Sequence, residues 1–189
     1  MARQGELFGE PMGAGLAPAA PPLLRHQLTR WQSRLAEHQA PLFAGLGSTA
    51  RQGSLLQADD PPPWPFNPLQ LQPQPLSFWR GAAPLVRGPA LYFVMDQPEA
   101  LDHPLLLYVG ETAHAEQRWK GEHDCKSYLA AYGDALQRAE LGTRLSIRFW
   151  CDVPAQTRAR RQLEQALIRQ WLPPFNKETR GRWATPFQA

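Results

Sequence analysis

Apolar residues recur differently in the two halves of the chain. In "PLLRHQLTRWQSRLAEHQ", Leu24, Leu28, Trp31 and Leu35 fall at steps of four, three and four with polar residues between them. That is the period of a helix with one apolar face. Pro22 opens this helix and Pro41 is expected to stop it, giving a helical segment over 23–40. Beyond it the period vanishes. "DDPPPWPFNPLQLQPQPLSFW" sustains neither a helix nor an interior strand, because each proline fixes φ and removes an N–H donor. Residues 41–87 therefore read as a proline-rich arm. Two forms are open: a semi-rigid linker, or a strap that lays Trp64, Phe66, Phe78 and Trp79 against a surface.

From residue 88 the pattern is regular. "PALYFVM" (89–95) and "PLLLYVG" (104–110) read as short strands. "RLSIRFWC" (144–151) alternates, with Leu145, Ile147, Phe149 and Cys151 on one face and Ser146, Arg148 and Trp150 on the other. The same alternation groups Ala90, Tyr92 and Val94 in the first strand. In the second it sets Leu106, Tyr108 and Gly110 opposite Leu105, Leu107 and Val109. Paired as neighbours, the strands would bring Tyr92 and Tyr108 side by side on the less apolar face. Segments 115–123, 126–140 and 155–172 read as helices, the last with Asp152 as its N-cap and Pro173 and Pro174 as its stop. The order predicts an α+β fold: a small three-stranded sheet flanked by helices, preceded by the amphipathic helix and the extended arm.

Composition adds boundaries. The 189 residues suit one compact domain with extensions, and most of the 20 prolines precede residue 90. Residues 1–22, rich in Gly, Ala and Pro, are expected to be disordered. Cys125 and Cys151 are far apart and at no metal-ligand spacing, which reads as two reduced thiols. No apolar run is long enough to span a bilayer, so a soluble, cytoplasmic protein without a membrane partner is expected. Net charge is +3, and Arg158, Arg160, Arg161, Arg169, Lys177, Arg180 and Arg182 crowd the C-terminal end, with 179–189 as a basic tail. Such a cluster is either a solvated face or a track for a polyanion.

Two residues carry candidate chemistry on their own. Glu164 falls in step with Ile168 and Trp171, beside an apolar stripe. A partly buried carboxylate needs a partner, either a divalent cation or an arginine such as Arg160, Arg161 or Arg118. Arg118 lies ten residues after Tyr108, just past the second strand, where a guanidinium can grip a phosphate bidentately; His123 follows five residues later.

Taken together, "ALY" at 90–92, "YVG" at 108–110, Arg118, Glu164 and Asn176 resemble the GIY-YIG nucleases in order and in spacing, and "PPFNKE" resembles that family's usual ending. The resemblance covers 88–178, which would form the nuclease domain. It implies metal-dependent hydrolysis of DNA phosphodiester bonds, with one Mg²⁺ or Mn²⁺ held by Glu164. It further implies that Tyr92 orients or deprotonates the attacking water and that Tyr108 completes the network around it. Arg118 would neutralise charge on the phosphorane, Asn176 would fix geometry near Glu164, and Gly110 would let backbone and substrate approach closely. Either the helix end adjusts so that His123 assists proton transfer or the general-base partner is missing, and Arg118, Lys120, Arg158, Arg161 and Lys177 would contact the DNA. Three departures stand out. Ala90 replaces the first glycine, the segment between the motifs is long, and Glu122 occupies the place of a His or Tyr four residues after the arginine, with His123 one later.

Two other readings remain: a catalytically silent DNA-binding module on the same fold, and an adaptor that works through its N-terminal half. "QGELF" (Gln4–Phe8) resembles the peptide by which bacterial repair proteins dock on the sliding clamp. "QAPLF" (39–43) repeats its spacing, but after a helix, where packing of Leu42 and Phe43 is the expected use.

Overall fold

Strand β1 (Ala90–Asp96) is buried at every position, because it is the middle strand of a sheet covered on both faces. The computed structural model describes residues 24–45, 66–80, 86–120 and 124–184; Gln4–Phe8, Glu122 and His123 lie outside them. β2 (Leu105–Thr112) and β3 (Leu145–Trp150) flank β1, both antiparallel to it, in the order β2-β1-β3. Helices α1 (Arg25–Phe43), α2 (Ala115–Arg118), α3 (Asp124–Arg138) and α4 (Thr157–Trp171) complete the α+β fold.

One face of the sheet presents Tyr92, Val94, Leu105, Leu107 and Ile147 to Leu28, Trp31 and Leu35 of α1 and to Tyr128, Tyr132 and Leu136 of α3. The other presents Leu91, Phe93, Met95, Leu106 and Val109 to Leu167, Ile168 and Trp171 of α4. Strict alternation along β2 fails here. A bulge between Val94 and Met95 pairs Val94 with Tyr108 and Met95 with Leu106, leaving Leu107 as an extra residue. Leu105 and Leu107 therefore join Tyr92's side, with Tyr108 packed against the same cluster, while Leu106 crosses to the α4 side. The tyrosines lie on a face that is covered, not a less apolar one.

Several expected boundaries move. Pro41 lies inside α1, which runs on to Phe43. Phe43 packs on Trp171 (centroids 4.7 Å apart), its carbonyl accepts the Asn67 side chain at 2.8 Å, and Gly45 turns at φ 75°. With the end of the helix held this way, one missing N–H in the last turn is tolerated. Leu42 and Phe43 are thus packed, as their place after the helix suggested. α2 is only four residues long, and α4 begins after Gln156 with no side-chain cap, so Asp152 does not cap it. In the arm, residues 66–80 take the strap form. Phe66 stacks on Trp150 at 4.2 Å, Gln74 bridges to Ile147, and Phe78 meets Phe149 edge-on at 4.9 Å. Trp64 lies outside the described residues. The basic tail is also partly built in: a 3-10 turn at Arg180–Trp183 buries Trp183. Among the described residues no helix is long and apolar enough to cross a membrane.

The outer edge of β2 would expose unpaired backbone groups, and side chains close it instead. Buried Gln39 of α1 accepts from the Leu106 N–H (2.8 Å) and donates to the Leu106 carbonyl (3.0 Å), pairing as a strand would. Phe175 N–H donates to the Leu107 carbonyl at 3.0 Å. Asn176 continues the row with both ends of its amide on Val109. The last place in that row belongs to Glu164.

Candidate active site

Glu164 arrives at the end of β2 because it sits one turn before Ile168 and Trp171, whose burial under the sheet fixes that face of α4. Its Oε1 accepts the Glu111 backbone N–H at 2.9 Å, and this is its one hydrogen bond among the described residues. Burial is the first cause that lifts its pKa from 4.5 to about 7, and the carboxylates of Glu111 and Glu178 add to it; the Glu111 N–H and Arg161 act the other way. Among the described residues no arginine is paired with Glu164. The neighbouring guanidiniums are taken: Arg160 Nε (3.0 Å) and Arg161 Nε (3.2 Å) both go to Glu111.

Glu111 is the residue that sequence reasoning missed. Its backbone orients Glu164 while its side chain holds two guanidiniums, one fully buried and one exposed. The only sequence clue is its position immediately after "YVG". Arg160 is wholly buried and also donates to the Pro154 and Ala155 carbonyls, so it fastens the start of α4 to β2 and belongs to no surface track.

The two tyrosines sit on neighbouring strands. Tyr92 pairs across the sheet with Gly110, and its ring stacks on Tyr108 with centroids 5.9 Å apart. Gly110 has an ordinary φ; what it supplies is space. A methyl there would overlap Cζ and Oη of Tyr92 and come within 2.8 Å of Cε1 of Tyr108. The close approach it permits is that of the Tyr92 ring, where the sequence suggested the substrate. Trp119 meets Tyr92 edge-on at 5.8 Å and Phe149 lies 6.2 Å away, so the ring is walled in and fully buried. Arg118, carried on the short α2, donates through Nε to the Tyr92 hydroxyl at 3.1 Å.

Burial holds both tyrosines protonated at neutral pH. It is the largest cause that pushes Tyr108 up to about 12 and Tyr92 well above its usual 10. Arg118 pulls both back down; Tyr108 raises Tyr92 further, whereas the hydrogen bond from Tyr92 lowers Tyr108. These phenols are therefore suited to orient a water by hydrogen bonding. Neither is suited to act as a free phenolate base.

The structure brings together Tyr92, Tyr108, Gly110, Arg118 and Glu164, but not every other site residue. His123 lies outside the described residues. Asn176 is buried, with both amide ends used: Oδ1 accepts the Val109 N–H at 3.0 Å and Nδ2 donates to the Val109 carbonyl at 2.8 Å. It holds the edge of β2. The turn that delivers it is forced by Leu172, left-handed at φ 48°, followed by Pro173 and Pro174. Asn176→Ala should orphan two buried backbone groups and destabilise the fold by about 2–4 kcal/mol, read by urea denaturation. Lys120, Arg158 and Lys177 are exposed, and Arg161 is exposed but tied to Glu111.

No protein-family model, curated protein or solved structure matches the chain.

Proposed function

We propose that the protein is a metal-dependent DNA endonuclease of the GIY-YIG kind, acting in the cytoplasm. The observation that carries this reading is the meeting of four side chains from four elements at one end of the sheet: Tyr92 of β1, Tyr108 of β2, Arg118 of α2 and Glu164 of α4. The charges of Glu164 and Arg118 both act on the Tyr108 phenol, the first raising and the second lowering its pKa.

The residues fit a divalent cation. Glu164 has an oxygen with no hydrogen bond among the described residues, is ion-paired with none of the described arginines, and is raised in pKa first by burial and then by the neighbouring carboxylates. Glu164 would hold Mg²⁺ or Mn²⁺ through its carboxylate. When bound, such an ion polarises the phosphoryl oxygen and stabilises the leaving alkoxide. Arg118 supplies charge to the phosphorane oxygens from the opposite side. Tyr92 and Tyr108 hold the attacking water in line by hydrogen bonds, and Arg118 fixes the Tyr92 hydroxyl.

Tyr92→Phe tests this directly. It keeps the packed ring and removes the hydroxyl, so cleavage should fall by about 10²-fold with the melting temperature nearly unchanged. Near-normal turnover would remove Tyr92 from the mechanism. Full burial of Tyr92 supports a second reading, a silent DNA-binding module, because a walled-in phenol reaches substrate only if Trp119 or Arg118 moves. Binding without cleavage under either metal would select it. Docking on the sliding clamp through Gln4–Phe8 is a separate proposal. Deleting residues 1–9 should abolish clamp binding and spare cleavage of naked DNA.

A further inference from the structure

The solvent side of α4 carries a stripe whose composition is unusual for a helix exposed to water. From Arg158, steps of three, four, seven and eleven place Arg161, Gln162, Gln165 and Arg169 on one side of the helix, and with Thr157 they line a shallow groove. An ordinary solvated face alternates acidic and basic residues at such steps. Here the groove is lined by three arginines and by neutral hydrogen-bonding side chains, with no carboxylate among them. The nearest acidic groups serve from outside it: Glu178 accepts from Gln165 at 2.9 Å, and Glu111 accepts from Arg161 Nε. Glu111 is also neutralised from within by buried Arg160, so releasing Arg161 to another anion does not strand it.

The stripe runs about 16 Å along the axis at about 1.5 Å per residue. Glu164 lies midway between Arg158 and Arg169 along the helix, and Arg161 is near enough to act on its ionisation. We infer that this groove is the track for a DNA sugar–phosphate backbone, holding the phosphates that adjoin the one delivered to Glu164. The inference rests on the nuclease reading for its direction, since a strand that brings a phosphate to Glu164 sets neighbouring phosphates, and not base edges, beside Arg161. Guanidiniums spaced along a helix suit that role, each gripping one phosphate. Contacts of this kind carry no base information, so the track binds all sequences alike.

The salt dependence of binding tests it. Full-length protein with Arg158→Ala and Arg169→Ala is titrated in EDTA against short labelled DNA duplexes of two unrelated sequences. The control, Arg138→Ala with Arg144→Ala, removes the same charge from two exposed residues on other elements. The slope of log affinity against log salt should become shallower by about two in the groove variant, on both sequences, and stay unchanged in the control. Equal slopes in wild type and groove variant would overturn the track, as would equal loss in the control. So would a change confined to one DNA sequence, which would mean base reading, or one seen on RNA duplexes alone. Cleavage measured separately keeps the two ideas apart. A protein that cuts DNA with an unaltered slope retains the nuclease and loses the track, and one that never cuts but loses slope does the reverse.

Discussion

Glu164→Ala should lower DNA cleavage by at least about 10³-fold while leaving DNA binding largely intact. The carboxylate sits at the end of β2 with the Glu111 N–H on one oxygen and no guanidinium of its own, because Glu111 has taken both nearby arginines. The same geometry fixes a pH dependence. With a pKa near 7, Glu164 is protonated in acid and unable to hold a cation. Cleavage at limiting metal should therefore rise as pH passes through about 7 and level off above it, and higher metal concentration should move the midpoint down. Stability without metal carries the opposite sign. The folded carboxyl keeps its proton to higher pH than the ordinary 4.5, so stability falls as pH rises from 4.5 to about 7 and stays low above it. Glu164→Gln keeps an acceptor for Glu111 and has no charge to bury. It should melt above wild type at pH 8 and match it near pH 4. A gap that is the same at both pH values would contradict burial as the cause.

Gly110→Ala should disable the site and destabilise the fold together, by about 1–3 kcal/mol or more. The added methyl has no room, since it overlaps the end of the Tyr92 ring and crowds Tyr108. Tyr92 cannot retreat, because Trp119 and Phe149 lie around it and its hydroxyl holds Arg118. Relief requires moving the tyrosines, and the Arg118 contact moves with them. Thermal unfolding and single-turnover cleavage would both register the change. A fully stable, fully active Gly110→Ala protein would show that the rings are free to shift, and the wall around Tyr92 would lose its meaning.

The three strands and α4 were legible because each has an uninterrupted pattern: the apolar run of β1 and the 3.6-residue step that sets Glu164 under Ile168 and Trp171. The bulge in β2 was not. Leu105, Leu106 and Leu107 are identical in character, so nothing in their order says which one crosses the sheet. Pro41 reads as a stop because propensity is local, whereas Asn67 and Trp171, which hold the helix end, are distant in sequence. The choice between strap and linker stayed open for a similar reason. Phe66 and Phe78 are ordered by stacking on Trp150 and Phe149, a partnership that periodicity does not encode. Within the site, the tyrosine pair and Arg118 followed from motif spacing. Asn176 followed from the same spacing, but its edge-closing contact did not, nor did Glu111 or Gln39, since these roles depend on a strand edge that exists only once the sheet has formed.

The most direct test of the central claim is a cleavage assay of purified full-length protein on labelled single-strand, duplex, flap and four-way-junction DNA, with Mg²⁺, Mn²⁺ or EDTA. The site described here predicts cutting of at least one substrate with either metal, none in EDTA, and none by Glu164→Ala run beside it. Cutting that persists in EDTA or in Glu164→Ala would contradict it, as would intact DNA under every metal.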